Sequence, residues 1–213
     1  MIPILIMGKS GAGKSASLRN LPTHGSIVVN VLGKPLPFRS DLRVVQCADY
    51  GKISASIQKN GFERCVIDDA GYLITTQFME NHAAGGSGNS VFALYNQMAD
   101  QYWKLVRTIQ QAPGMARVYL MMHEDKTDAG DVKPKTIGKL LDEKVCLEGM
   151  FTICLRAMVL NGRHVFRTQS DGFDVAKSPM GMFESDEIDN DLALVDDAIV
   201  KYYEIKNGGN ENE

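Results

Sequence analysis

The segment Gly8-Lys9-Ser10-Gly11-Ala12-Gly13-Lys14-Ser15 fits G-x-x-x-x-G-K-[ST] at every position, after an apolar run and before a short helical pattern. Glycines at 8, 11 and 13 let the backbone turn its N–H groups inward as a nest for phosphate oxygens. Lys14 brings a cation to the β- and γ-phosphates of a nucleoside triphosphate, and the Ser15 hydroxyl is a hard oxygen ligand suited to Mg²⁺. Lys9, Ser10 and Ala12 fill the variable positions of the same candidate nucleotide-binding set; at Lys9 and Ser10 solvated side chains serve as well.

Two further apolar runs end in polar side chains. Cys65-Val66-Ile67-Asp68-Asp69 closes on two carboxylates, and Asp68 is the candidate Mg²⁺ ligand beside the phosphate loop. Asp69 is the candidate general base for an attacking water, although Asp-Asp-Ala-Gly also has the composition of a plain turn. The run Val118-Tyr-Leu-Met-Met122 ends in His123. Ligand crevices of α/β sheets open at such strand ends, so His123 either senses the γ-phosphate or is satisfied locally.

These side chains need a scaffold that gathers three strand ends. The apolar runs 4–7, 27–32, 44–47, 65–67 and 118–122 are continuous rather than alternating, the pattern of parallel strands covered on both faces. Helical patterns lie between them, to about residue 21, over 53–60 and over 90–112. In the last, Val91, Leu94, Tyr95, Met98, Tyr102, Leu105 and Ile109 form one stripe, with Ser90 to cap it and Pro113-Gly114 to stop it. Residues 124–139 are polar and aperiodic. Runs 151–160 and 164–168 flank Asn161-Gly162, a hairpin signal. Residues 186–203 read as an acidic helix, either packed through Leu192, Val195 and Ile199 or lying as a nucleic-acid mimic in a basic groove. Residues 207–213 read as disordered. The expected fold is α/β, three layers round a mostly parallel sheet with a C-terminal β-hairpin extension. Residues 1–183 form its main domain and 184–213 an acidic helix and tail.

Composition narrows the class. With 213 residues, 44% hydrophobic and 23% charged, the chain suits one globular domain. No apolar run reaches the ~20 residues a membrane span needs. The apolar start lacks a basic flank and a cleavage site, which argues against a secretory signal. Cys47, Cys65, Cys146 and Cys154 and the four histidines show no metal-ligand spacing, so a reducing cytoplasm is the simpler setting. The formal charge of −3 conceals a split: residues 184–213 hold ten acidic and two basic side chains, and residues 1–183 hold 21 basic and 16 acidic.

The order of phosphate loop, Asp-ended strand, loop, long helix and His-ended strand resembles the RecA-like branch of P-loop ATPases. More narrowly it resembles the small RecA-related ATP-binding proteins of tailed phages, some of them single-strand annealing proteins. The resemblance rests on Gly8–Ser15, Val66-Ile67-Asp68-Asp69, Met122-His123-Glu124 and the runs Thr168-Gln169 and Ala176-Lys177-Ser178-Pro179. It implies a RecA-like P-loop NTPase domain using ATP and Mg²⁺, a homo-oligomer, and single-stranded DNA as partner, with a single-stranded-DNA-binding protein as a possible second one. It also implies DNA-binding loops at about 81–90 and 125–138, and a trans-acting Lys177 near a neighbouring subunit's γ-phosphate. A solvated loop lysine is the alternative for Lys177. Residues 150–170 carry Arg156, Arg163 and Arg167 with no acid, and read as the better basic surface. One departure stands out: Asn30 occupies the place of the RecA catalytic glutamate.

The expectation is therefore a Mg-ATP-dependent ATPase of phage DNA recombination, annealing or replication, working in the bacterial cytoplasm. The alternatives are a non-hydrolytic nucleotide-binding module of a replisome or packaging assembly, and a P-loop small-molecule kinase. An arginine-free 124–144 weighs against the kinase.

Overall fold

Ile4, Leu5, Ile6 and Met7 are fully buried because their strand, β1 (Ile2–Gly8), lies inside the sheet and is covered on both faces. Successive side chains alternate across it: Leu5 enters one apolar cluster, Ile4 and Ile6 the other. The computed structural model of the chain describes residues 1–83 and 89–206. The other strands are β2 (Ser26–Asn30), β3 (Arg43–Gln46), β4 (Arg64–Asp68), β5 (Arg117–Lys126), β6 (Val132–Pro134), β7 (Ile153–Leu160), β8 (Arg163–Arg167) and β9 (Glu187–Asp189). Their order is β3-β2-β4-β5-β1-β7-β8-β9, with β6 folded back on the end of β5. Strands β1 to β5 and β7 run parallel; β6, β8 and β9 pair antiparallel. Asn161 and Gly162 both have positive φ, 50° and 78°, and make the tight turn between β7 and β8.

Helices α1 (Tyr50–Lys59), α2 (Tyr72–Asn81) and α3 (Asn89–Gln111) cover one face. They do so through Ile53 and Ile57, Leu73 and Ile74, and Met98, Tyr102, Leu105 and Ile109. α4 (Leu192–Tyr202) covers the other with the 3-10 turn Ser15–Asn20, through Leu192, Val195, Ile199 and Leu18. The result is the three-layer α/β arrangement of a P-loop NTPase, with a mostly parallel nine-stranded sheet.

Several elements differ from expectation. The helix after the phosphate loop is only a six-residue 3-10 turn, stopped where Leu21 turns extended before Pro22. Strand β5 continues three residues past His123, because β6 gives its end a hydrogen-bonding partner. α2 and β6 fall where no element was expected. Residues 187–189 form strand β9 rather than helix; α4 starts later, where the Asp191 side chain accepts from Ala193 N. Ser90, expected as the cap of the long helix, falls inside α3, which begins by Asn89, and the centre of the 81–90 loop and the tail 207–213 lie outside the described residues.

α4 is also pinned by charge. Asp196, 2% exposed, accepts from Arg117 Nε and Nη2, both at 2.8 Å, from Arg64 Nη1 at 3.2 Å, and from the Tyr119 hydroxyl. Burial works against the Arg117 charge, yet the hydrogen bonds and charge of Asp196 raise its pKa above the ordinary arginine value.

Candidate functional site

The chain reverses direction across the sheet at β1. Its early strands lie on the β5 side and β7 on the other, so a crevice opens beyond the carboxyl ends. β5 runs between β1 and β4. Gly8 is in register with His123, and the Ala70 N–H donates to Met121 O at 2.7 Å, which sets Asp68 and Asp69 against the end of β5.

Gly8 owes its lack of a side chain to packing rather than to turn geometry. A Cβ there would stand 2.4 Å from the Ala157 carbonyl oxygen on β7. Gly13 has φ +100°, and a Cβ would meet Asn190 Oδ1 at 2.8 Å and His164 Nδ1 at 3.0 Å. The loop thus leans on the hairpin and on the segment before α4. His164 Nδ1 lies 3.1 Å from Ala12 O, Arg19 Nη1 donates to Asn190 O at 2.6 Å, and Asn20 Nδ2 donates to Asp191 Oδ2 at 2.6 Å.

Lys14 is 6% exposed and donates to Gly8 O at 2.7 Å and Lys9 O at 2.9 Å. Burial holds its pKa below the ordinary lysine value, against the pull of Asp69 and Asp68. The Ser15 hydroxyl donates to Asp68 Oδ1 at 2.9 Å. Burial, and next the charge of Asp69, push Asp68 above the usual carboxylate range. A hydroxyl and a carboxylate oxygen side by side below the loop are the hard donors that Mg²⁺ accepts, so these residues fit that ion.

Asp69 sits at φ +59°, 5% exposed. Its Oδ1 lies 3.7 Å from His123 Nε2, and its Oδ2 is ion-paired with Lys34. Burial first, and Lys14 second, hold His123 below the ordinary histidine value. A cavity of about 330 Å³ is lined by Ser10, Gly11, Gly13, Lys14, Ser15, Ala16, Lys34, Pro37, Asp69, His123 and His164. A second of about 540 Å³ adjoins it beyond Lys9 and Ser10, walled by Tyr72, Thr75, Phe78 and Met79 of α2, by His123 and Glu124, and by Lys135 and Ile137. The Tyr72 ring meets His123 edge-on at 5.8 Å.

The fold brings together the phosphate loop, Asp68, Asp69 and His123. It does not bring Lys177 to them within one chain: Lys177 exchanges backbone hydrogen bonds with Cys154, which is level with Leu5, below the loop. Asn30, in register with Asp68, turns its side chain into the following loop, accepting from Gly33 N at 2.8 Å and donating to Lys34 O. Sequence reasoning missed Lys34 and His164. The signal for Lys34 was Asn30 itself, a polar strand end followed by a basic Gly-Lys-Pro turn.

The basic surface expected from Arg156, Arg163 and Arg167 is not present as free charge. Arg156 binds Glu124 through Nε at 2.9 Å and Nη2 at 3.1 Å, and Asp174 through Nη1 at 3.1 Å. Arg163 pairs with Asp189 at 3.0 Å; Arg167 pairs with Asp171, with Asp174 and with Glu187. All of these acids lie outside the 150–170 window, which is why the local count hid them. Among the described residues no cluster of three or more His, Cys, Asp or Glu could hold a metal ion, and no helix is long and apolar enough to cross a membrane.

A family described as an AAA domain matches residues 2–180. No curated protein matches the chain. Among solved structures it is similar to a prototypical ATPase from the type III secretion system of pathogenic bacteria, with 12% identity and a TM-score of 0.43 over 73% of this chain. The chain spans 50% of that protein's length.

Proposed function

The chain belongs to the AAA domain family and is an ATP-binding P-loop NTPase, and from that premise we propose that it hydrolyses Mg-ATP to drive work on single-stranded DNA. The observation that carries the hydrolytic part is the Ser15–Asp68 hydrogen bond with Asp69 beside it in the same cavity. In this mechanism the loop amides and Lys14 hold the β- and γ-phosphates. Ser15 and Asp68 would hold Mg²⁺, which neutralises phosphate charge when bound. Asp69 accepts a proton from the water that attacks the γ-phosphorus. The bond from that phosphorus to the β–γ bridging oxygen breaks, and ADP and phosphate leave. His123, between Gly8 and Asp69, orients the terminal phosphate or the water.

The DNA part rests on the RecA-like order of motifs and on the cavity beside His123. Tyr72 offers an aromatic wall for a base, Phe78 being already stacked on His82 and Tyr95, and Lys9 and Lys135 offer phosphate contacts. Through Tyr72 its occupant would touch His123, which in this mechanism orients the terminal phosphate or the water. Phage recombination, annealing or replication in a bacterial cytoplasm is the matching setting, with a homo-oligomer that supplies Lys177 in trans and a single-stranded-DNA-binding protein as further partner. ATPase assays with and without single-stranded DNA, on wild type and Asp69→Asn, test this reading. DNA-stimulated turnover that falls with Asp69→Asn supports it; wild type turnover indifferent to DNA removes the DNA part.

Two observations favour a second reading, a non-hydrolytic nucleotide-binding module: Asp69 is already engaged by Lys34, and Asn30 is committed to its loop. ATP binding without turnover, with or without DNA, would establish it instead.

A further inference from the structure

The loop after β2 is built to deliver one cation. The Asn30 side chain clasps both Gly33 N and Lys34 O. Gly33 turns at φ +70°, against Gln46 at the end of β3, where a Cβ would stand 2.5 Å from Gln46 Nε2. Pro35 and Pro37 stiffen the chain beyond Lys34, and Leu36 and Phe38 anchor it to the apolar cluster beneath. The backbone of Lys34 is therefore placed, while its side chain is free to move at 57% exposure. Its partner is not: the Asp69 side chain is 6% exposed and fixed at a left-handed backbone position. When the pair breaks, it is Lys34 that moves.

The cavity gives it somewhere to go. Lys34 and Lys14 line the same 330 Å³ space, Lys14 from the loop and Lys34 from the side of Asp69. Asp69 Oδ2 has no hydrogen-bond partner apart from the ion contact with Lys34, so in this state the carboxylate that faces the cavity is neutralised from that side. A terminal phosphate on the loop brings a concentrated negative charge to the place where these groups converge. A lysine ammonium on a flexible stem is a point charge suited to follow it.

We propose that Lys34 reads the γ-phosphate: it pairs with Asp69 when no terminal phosphate is bound, and transfers its ammonium to a γ-phosphate oxygen when ATP is bound, leaving the Asp69 carboxylate free. This rests on the nucleotide reading of the site and adds to it a residue that distinguishes ATP from ADP. Lys14 serves both nucleotides. Lys34 serves only the one with a third phosphate.

The experiment is equilibrium binding of a non-hydrolysable ATP analogue and of ADP, each with Mg²⁺, to the full chain and to Lys34→Gln, Lys34→Arg and Lys14→Ala. The expected result is that Lys34→Gln binds the analogue at least tenfold more weakly and ADP within twofold of wild type. Lys34→Arg should retain most of the preference, and Lys14→Ala should lose both ligands. Equal weakening of both nucleotides by Lys34→Gln, or no change in either, overturns the proposal. Failure of wild type to bind either nucleotide overturns the nucleotide reading itself and this inference with it. A cooperative thermal melt of Lys34→Gln, lowered by the loss of a partner for the buried Asp69 but still above the assay temperature, separates these outcomes from misfolding.

Discussion

The Ser15 hydroxyl donates to Asp68 Oδ1 at 2.9 Å, joining the phosphate loop to the end of a strand 53 residues later. β4 is not adjacent to β1; β5 lies between them, and the contact crosses its end. Asp68→Asn keeps the shape of this contact and removes its charge. ATP affinity in Mg²⁺ should fall by about tenfold or more, equivalent to ~1.4 kcal/mol, while affinity in EDTA stays near the wild-type value. Paired titrations with and without Mg²⁺ check it.

Asp196 should be the most costly acid to remove. Asp196→Ala leaves Arg117 and Arg64 at the sheet without their shared carboxylate, a loss of about 3–5 kcal/mol for breaking a buried pair. Urea unfolding of the variant should show that drop, with the m-value retained. The near-neutral outcome expected of a solvated acidic helix would contradict the packing of α4.

His123 titrates below the ordinary histidine range because burial and Lys14 disfavour its charge. A base whose folded pKa is lowered stabilises the fold fully above its unfolded value, ~6.5. That contribution is lost as pH falls through this value toward the folded pKa. Histidine NMR titration should place His123 below 6.5 in wild type and lower still in Asp69→Asn, since Asp69 is the charge that opposes the shift.

Single-stranded DNA binding, if carried by the cavity beside His123, should depend on Lys135 rather than on the hairpin arginines. Arg163→Ala, whose side chain is 74% exposed but paired with Asp189, should change affinity less than twofold. Lys135→Ala should weaken binding and lower the slope of log affinity against log salt by about 0.7 for the lost phosphate contact. Fluorescence anisotropy across a salt series measures both.

The phosphate loop, the Asp68-Asp69 strand end and His123 were legible because each is a local pattern, a short apolar run finishing in the glycine or polar side chains that the fold gathers at one crevice. The parallel sheet was legible in the same way, from continuous apolar runs such as 4–7 and 118–122. α2 escaped because its inward residues, Leu73 and Ile74, make too short a stripe to show a period. β6 and β9 escaped because three-residue strands exist only through the partner that accepts their hydrogen bonds.

Charge shows the same division most sharply. Composition establishes how many basic and acidic groups the body and the C-terminal segment carry, and no arrangement of the chain alters that count. Which of them remain available depends on contacts between distant segments. Arg156 meets Glu124 and Asp174, Asp196 meets Arg117 and Arg64, and Lys34 meets Asp69. Coulomb energy depends on distance and burial rather than on position along the chain. Local spacing therefore reveals the groups that can bind a nucleotide, and three-dimensional packing selects the ones left free to act on it.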